Sequence, residues 1–245
     1  MNFEANSWAS LLDNLREIRR SVPNVDYLWF RGQSNASYAL LPSLFRSPSG
    51  REKEEQLFQK FRQLSLRVLP RRTDNWETLF DMQHYGVPTR LLDWTPTLGI
   101  AAFFAAAYAN RDKSQRSAAI YVLDPIRLNE YSGITGIPFL PDDKRLDYRS
   151  VYFEKKPFAP VYPIAVEPIF SNDRMAAQIG AFTIHGDNLT PIETLCPEAV
   201  KKIILSGKAI SETLEFCELA NINEFTIFPD VAGIASHVRR IARFD

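Results

Sequence analysis

The 245-residue sequence is poor in cysteine and histidine and carries no excess of charge. Two cysteines, Cys196 and Cys217, and three scattered histidines supply neither a disulfide framework nor metal-ligand spacing, so we expect no metal site. Lys and Arg together number 29, as do Asp and Glu, so no overall field attracts nucleic acid or a membrane. This composition predicts a reducing, cytoplasmic location.

Several familiar sequence patterns are also missing. The chain shows no N-terminal signal pattern and no long apolar run, so neither secretion nor membrane spanning is expected. It contains no Gly-x-Gly-x-x-Gly fingerprint and no phosphate-binding loop, which disfavours a Rossmann dehydrogenase and a P-loop kinase. Its 45% apolar and 24% charged residues are typical of a globular protein. The length predicts one domain over residues 1–245.

Strand and helix patterns mix along the chain. β-branched and aromatic runs predict strands over 25–32, 89–94, 117–124, 159–168, 180–186, 200–206 and 224–230. Apolar residues at helical spacing predict helices after Ser7, over 51–68, between Asp74 and Gly86, from Pro96, over 209–220 and over 231–243. The mixture predicts an α+β fold with mixed, mainly antiparallel sheets and flanking helices.

Polar chemistry is concentrated in four stretches. They are WFRGQ (29–33), QHYGVPTRLLDWT (83–95), NDRMAAQIGAFTIHG (172–186) and IFPD (227–230). Arg31 leaves the end of an apolar strand, where it either forms a surface ion pair or binds a planar anion. Asp93 is the internal partner of suitable type, and a phosphate is the external one. Next to it, Gly32 would let a ligand approach the backbone.

Other polar residues of these stretches also allow two interpretations. His84 lies in the last turn of a predicted helix, where it either complements the helix end or acts as a general acid or base. Arg90 and Asp93 are three apart on a predicted strand, so they point to opposite faces and one of them faces the interior. Asp230 either caps the last helix or projects a carboxylate from a strand end.

The remaining candidates have equally plain structural roles. Trp94 fits the core, and Thr95 fits the N-cap of the helix that Pro96 begins. Arg174 and Gln178 are spaced i, i+4, so on a helix they share one face, which is either a cleft wall or solvent-exposed.

In their order along residues 24–233, these motifs resemble the FRG domain family, named for the Phe-Arg-Gly stretch that is Phe30-Arg31-Gly32 in this sequence. The stretch YALLPSLFR (38–46), the long 83–95 motif and the Ala/Phe-rich helix after it carry the same resemblance. Members are bacterial, and the resemblance implies a setting such as a toxin–antitoxin or phage-defence system. An antitoxin or inhibitor protein is then an expected partner.

The order of elements is also similar to that of ADP-ribosyltransferases, which split NAD in a cleft between two small sheets. By this resemblance Arg31 would grip the phosphate or ribose of NAD. Tyr85 or Trp94 would stack on nicotinamide, and His84 or Thr95 would hold its ribose. NAD would serve as the substrate, without a metal.

A carboxylate is needed to stabilise the positive charge that develops as the glycosidic bond breaks. Asp230 is the first candidate, with Asp93 and Gln178 as substitutes. The residues expected in catalysis are Arg31, His84, Asp93 and Asp230. The residues expected to bind NAD are Gly32, Gln33, Tyr85, Thr89, Arg90, Trp94, Thr95, Arg174 and Gln178.

The acceptor and the class of function stay open at this point. No Glu-x-Glu or Gln-x-Glu pair occurs near the late strands, so a nucleic-acid acceptor or NAD hydrolysis fits at least as well as modification of a protein. Alternatively, Arg31, His84, Arg90 and Arg174 could form the phosphate site of a metal-independent ribonuclease. A third alternative is a non-catalytic module that binds nucleic acid or protein, in which these residues form an internal polar network.

Overall fold

The computed structural model describes residues 2–22, 25–70, 72, 74–109, 117–140, 146–154, 161–169, 173–242 and 244, without the side chains of residues 25 and 173–175. The strands in this part of the chain are β1 (Asn2–Ala5), β2 (Trp29–Gln33), β3 (Leu91–Trp94), β4 (Ala118–Leu123), β5 (Phe139–Leu140), β6 (Ile164–Pro168), β7 (Ala181–Ile184) and β8 (Val200–Leu205).

The helices are α1 (Trp8–Ser21), α2 (Gly50–Ser65), α3 (Asn75–His84), α4 (Leu98–Ala106), α5 (Pro125–Tyr131), α6 (Tyr148–Tyr152), α7 (Asp173–Gln178), α8 (Ile192–Leu195), α9 (Gly207–Leu219), α10 (Glu224–Ile227) and α11 (Val231–Ile241). Short 3₁₀ turns lie at Val25–Tyr27 and Ser43–Arg46. Within the described ranges, no helix combines the length and the hydropathy needed to cross a bilayer.

The strands form two four-stranded sheets, which confirms the predicted α+β class with mixed, mainly antiparallel sheets. The first sheet has the order β1-β8-β4-β2 and is antiparallel except for the β1–β8 pair. The second has the order β3-β7-β6-β5 and is antiparallel except for the β5–β6 pair. The strands expected over 89–94, 117–124, 180–186 and 200–206 are confirmed as β3, β4, β7 and β8.

The two sheets touch through their edge strands β2 and β3. Phe30 and Thr95 form one antiparallel bridge, in which Phe30 N donates to Thr95 O at 2.7 Å and Thr95 N donates to Phe30 O at 3.0 Å. Beyond this bridge β2 pairs only with β4 in the first sheet, and β3 pairs only with β7 in the second sheet, among the described strands. The junction of the two sheets therefore leaves a gap between two strand edges, where side chains from both sheets meet.

Helix α4 packs closely against one face of β2. A Cβ built on Gly32 would lie only 1.8 Å from the carbonyl oxygen of Ala101 and 2.6 Å from the backbone nitrogen of Ala105. Gly32 is therefore required for helix–strand packing, whatever its part in binding a ligand. The buried residues of α4 join the core that covers this side of the first sheet.

Two predicted elements differ from the structure. The strand expected over 224–230 is wrong, because Asn223 caps a short helix there: its Oδ1 accepts from Phe225 N at 3.0 Å and Thr226 N at 3.2 Å. Thr95 is not the N-cap of α4 either. Its backbone pairs with Phe30, so the helix starts only after Thr97, at Leu98.

Some element boundaries also shift. The strand expected over 25–32 begins only at Trp29, after a 3₁₀ turn. The helix expected over 51–68 ends at Ser65. The strand expected over 159–168 begins at Ile164, and residues 159–160 lie outside the described chain.

Candidate functional site

A cleft opens where the two sheets meet. Its volume is about 180 Å³, which is small beside the roughly 300–1,000 Å³ that is typical of sites for drug-sized ligands. The residues that line it are Phe30, Arg31, Gly32, Gln83, Asp93, Trp94, Thr95, Ile100, Ala101, Phe104 and Gln178. The cleft thus draws on β2, β3, α4, the end of α3 and the end of α7.

Arg31 supplies the positive charge of the cleft. Its Nη1 donates to the backbone oxygen of Asp93 at 2.8 Å and lies 3.6 Å from the Asp93 Oδ2. Its side chain is 18% exposed, and its buried Nε has no hydrogen-bond partner among the described residues. Burial lowers the pKa of Arg31 and Asp93 raises it again, with a net lowering. The guanidinium remains cationic at neutral pH because arginine starts from so high a pKa.

Asp93 supplies the negative charge and is held by a neighbouring amide. The turn at Gly86, whose φ is +74°, lets the chain leave α3 and return as β3, so that Gln83 and Asp93 come together. Gln83 Nε2 donates to Asp93 Oδ2 at 2.8 Å, and Thr89 Oγ1 donates to the other end of the same amide. The Asp93 side chain is 51% exposed, so its carboxylate is both oriented and accessible from the cleft.

The wall opposite Asp93 is tied to the end of α7. Thr95 Oγ1 donates to the backbone oxygen of Gln178 at 2.8 Å, and Gln178 Nε2 donates to Ile227 O at 3.2 Å. The next residue, Ile179, has a φ of +45° although it is β-branched and exposed. Such a conformation is strained in a β-branched residue, and here it lies directly beside a cleft residue.

The apolar wall of the cleft comes from β2 and α4. Phe30, Ile100 and Phe104 line it, and the two phenylalanines are only partly buried. Trp94 behaves differently: it is buried, and its Nε1 donates to Thr183 Oγ1 at 3.1 Å. The accessible aromatic rings are therefore those of Phe30 and Phe104, and the Trp94 ring is mainly part of the core.

Arg90 lies outside the cleft. Its guanidinium is buried, with Nε 2.6 Å from Glu54 Oε1 and Nη2 2.5 Å from Glu54 Oε2, and its Nη1 donates to His185 O. Burial alone would lower the pKa of Arg90, but the paired Glu54 raises it on balance. Arg90, directly before β3, is buried and Asp93 is half-exposed, so Arg90 is the one of the two that faces the interior.

Four further predicted residues do not line the cleft. His84 ends α3 with its ring against that of Tyr85, at a centroid distance of 4.6 Å, and Tyr85 is exposed on another surface. Thr89 is buried and only orients Gln83. Gln33 is buried, and its amide atoms have no hydrogen-bond partner among the described residues.

Asp230 is the N-cap residue of α11, and its Oδ1 accepts a hydrogen bond from Gly233 N at 2.7 Å. The projection from a strand end that would have placed it in the cleft is wrong, because residues 224–227 are helical. The side chain of Arg174 lies outside the described residues. The structure thus brings together Arg31, Gly32, Asp93, Trp94, Thr95 and Gln178 from the predicted set.

The segment around the cleft can be compared with known proteins. The family model of the FRG domain matches residues 26–114. This segment is similar to FRG domains. The FRG match covers less than half of the chain but includes Arg31, Gln83 and Asp93, and it supports that part of the resemblance seen over residues 24–233. No curated protein and no solved structure matches the chain.

Besides Ala101, sequence reasoning missed four lining residues, of which three are apolar side chains of the FRG segment. Phe30 belongs to the Phe-Arg-Gly stretch itself, and Ile100 and Phe104 are spaced i, i+4 on the apolar helix. Gln83, at the start of the 83–95 motif, is the fourth. An i, i+4 spacing predicts a shared helix face, but an all-apolar helix gives no signal for which face borders a cleft.

Proposed function

We propose that the cleft binds NAD and that the protein transfers the ADP-ribose of NAD to a macromolecular acceptor. The observation that carries the proposal is the meeting of Arg31 and Asp93 at the junction of the two sheets, with Gln83 holding the carboxylate. A cation for phosphate and an oriented carboxylate for a developing positive charge are what cleavage of NAD requires.

Each cleft residue has a role in this proposal. Arg31 binds the pyrophosphate through those N–H groups that Asp93 does not occupy. Phe30 or Phe104 stacks on the nicotinamide ring, in place of the buried Trp94. Thr95, whose hydroxyl already orients the Gln178 backbone, lies where it can hold the ribose.

The reaction breaks the bond between ribose C1′ and the nicotinamide nitrogen. The electron pair of that bond leaves with nicotinamide, which departs neutral, and the positive charge passes to the ribose as an oxocarbenium ion. The Asp93 carboxylate stabilises this cation electrostatically. A nucleophilic oxygen or nitrogen of the acceptor then donates an electron pair to C1′ and loses its proton to solvent base.

Two features of the fold support this proposal. The cleft lies between two small mixed sheets, and an arginine–glycine pair from an early edge strand borders it, which is similar to the organisation of ADP-ribosyltransferases. The toxin–antitoxin or phage-defence setting that the resemblance to FRG domains implies is consistent with a macromolecular acceptor, nucleic acid or protein. Asp93 takes the role first expected of Asp230, because only Asp93 lines the cleft.

The ribonuclease alternative receives less support. Its phosphate site requires Arg90 beside Arg31, His84 and Arg174. The Arg90 guanidinium, however, is buried and neutralised by Glu54. His84 does not line the cleft that contains Arg31.

The test measures nicotinamide release from NAD by the purified protein, with total RNA, DNA and protein as acceptors. We expect release by the wild-type protein and a decrease of at least about 100-fold for Asp93→Asn, since the electrostatic stabilisation of the transition state is removed. Label in the adenylate phosphate identifies which acceptor class is modified.

Asp187→Asn is the matched control, because Asp187 is a half-exposed carboxylate that pairs with Arg51 away from the cleft. It should leave nicotinamide release unchanged. Thermal unfolding of every variant verifies that it is folded. If the folded wild-type protein releases no nicotinamide with any acceptor, the proposal is wrong and the binding-module alternative takes its place.

A further inference from the structure

A second cavity lies between the first turns of α2, the end of α6 and the loop that follows β7. Its volume is about 580 Å³, which is within the roughly 300–1,000 Å³ that is typical of small-molecule sites. Its inner wall includes the largely buried Phe45, Arg90 and Tyr152, and its rim includes the exposed Glu52 and Glu55. The described residues that line it all differ from those of the cleft at the junction of the sheets, so the two sites are separate.

The inner wall of this cavity carries a charge pair that is already complete. Arg90 is 1% exposed and Glu54 is 5% exposed, and both oxygens of the Glu54 carboxylate accept from the guanidinium. The rings of Phe45 and Tyr152 cover the guanidinium, with centroids 5.5 and 3.9 Å from its carbon. Because Glu54 balances the charge of Arg90, the inner wall does not attract an anion.

The rim of the cavity is negatively charged. Arg51 Nη2 and Asp187 Oδ2 lie 2.6 Å apart and form an ion pair with each other. Glu52 and Glu55 lie three residues apart on one face of α2, and neither forms an ion pair with another described residue. The lining thus contains four carboxylates and only two guanidinium groups, so its net charge is −2. Such a lining attracts a cation and repels an anion.

One polar group of the inner wall lacks a hydrogen-bond partner. The hydroxyl oxygen of Tyr152 is buried and forms no hydrogen bond with a described residue. Burial raises the pKa of Tyr152 against the opposite effect of Arg90, so the hydroxyl is uncharged at neutral pH. A buried hydroxyl without a partner is unfavourable, and here a ligand group with an N–H can supply the missing hydrogen bond.

We propose that this cavity binds a small organic cation, an ammonium or guanidinium group on an aliphatic stem. Its charged group lies at the rim, where Glu52 and Glu55 accept its N–H groups. Its stem packs against Phe153 and Leu189, apolar parts of the lining that a bare metal ion could not use. An N–H group at the other end of the stem donates to the Tyr152 hydroxyl. This site does not depend on the proposed cleavage of NAD.

Isothermal titration calorimetry of the full chain with putrescine and agmatine tests the site. We expect both amines to bind, and we expect butanediol and succinate, which have neutral or anionic groups on a similar stem, not to bind. A variant with both Glu52→Gln and Glu55→Gln should bind the amines at least about tenfold more weakly, because two charge-assisted hydrogen bonds are lost. Glu218→Gln, which changes an exposed carboxylate of α9, is the matched control and should leave the affinity unchanged.

Tyr152→Phe tests whether the amine lies in this cavity. Glu52 and Glu55 also line a neighbouring groove along α2, to which Tyr152 does not contribute. We expect Tyr152→Phe to lower the affinity for the amines about fivefold. The melting temperature without ligand should not fall, because the hydroxyl has no hydrogen bond to lose. An affinity that this variant or the double glutamine variant leaves unchanged overturns the proposal, as does equal binding of butanediol or a Kd weaker than about 1 mM for both amines.

Discussion

Among single residues, Arg90 carries a charge that is removed from water and balanced by one carboxylate. Both oxygens of Glu54 accept from its guanidinium, and Tyr148 donates to the same carboxylate at 2.9 Å. The guanidinium also lies 3.9 Å above the ring of Tyr152. The pair holds β3 to α2, which places Asp93, three residues further along, at the cleft.

Removal of the Glu54 charge from the buried Arg90–Glu54 pair should therefore lower the stability of the fold strongly. We predict that Glu54→Gln lowers the free energy of unfolding by about 3–5 kcal/mol, because the buried Arg90 loses its compensating charge. Urea denaturation followed by circular dichroism measures the change. The control is Arg51→Gln, which breaks a half-exposed ion pair with Asp187 and should cost less than about 1 kcal/mol. Equal losses in the two variants would contradict this account of Arg90.

At the scale of elements, the contact between β2 and α4 decides where one wall of the cleft lies. Gly32 allows the backbone of α4 to approach the strand, and the same approach puts Ile100 and Phe104 beside Arg31. The glycine of the Phe-Arg-Gly stretch thus has a packing role, which is distinct from the approach of a ligand that the sequence suggested.

Gly32→Ala should disturb this packing severely. The added methyl group would meet the backbone carbonyl of Ala101, which cannot move without displacing the helix, so we expect a loss of about 3 kcal/mol in the free energy of unfolding. Gly207→Ala is the control, because a Cβ at the start of α9 meets nothing within 4 Å. It should change stability by less than about 1 kcal/mol. Thermal unfolding measures the stability of both variants. A large loss for Gly32→Ala alone supports the packing explanation, and equal losses for both variants contradict it.

Local sequence patterns predicted most elements and the starts of α1 and α3, but not the start of α4. The caps at Ser7 and Asp74 and the turn at Gly86 depend on contacts within a few residues, and the structure confirms all three. The residues that follow Thr95 resemble a helix start, so local pattern alone predicts a cap at Thr95. Its backbone instead pairs with Phe30, which is distant in the sequence and gives no local signal.

For the whole molecule, His185 links folding to pH. It is buried, and its Nδ1 has no hydrogen-bond partner in the described part of the chain. Burial lowers the pKa of His185 from 6.5 to about 3, and the charges of Arg90 and Arg31 contribute in the same direction. The folded protein therefore holds this histidine neutral, while the unfolded chain takes up a proton below pH 6.5.

The sign of the effect follows from proton uptake. Between pH 6.5 and about 3 the unfolded state binds more protons at this position, so stability falls as the pH falls, by up to about 1.4 kcal/mol per pH unit. We predict that His185→Gln removes this contribution, which should appear as a shallower decline in stability between pH 6.5 and 4.5. Denaturant unfolding at several pH values gives the two slopes. Identical slopes would show that His185 is protonated in the folded state.

The cleft could be located from the sequence only in part. The 83–95 motif contains the residues that meet there because a short helix–turn–strand unit brings its own two ends together, as Gln83 and Asp93 show. Which of its arginine and aspartate faces the interior was not predictable, because strand alternation gives opposite faces without saying which one is buried. Glu54, which settles this, lies 36 residues before Arg90.

The sequence by itself determined the starts of α1 and α3, most strands, the absence of a Rossmann or P-loop motif, and Arg31 and Asp93 as candidate site residues. These depend on short-range backbone preferences and on residue type. Only the tertiary structure decided that Arg31 meets Asp93, that Arg90 is buried and that Asp230 caps α11. Burial and charge pairing arise from residues far apart in the chain, and a linear pattern does not contain their distances.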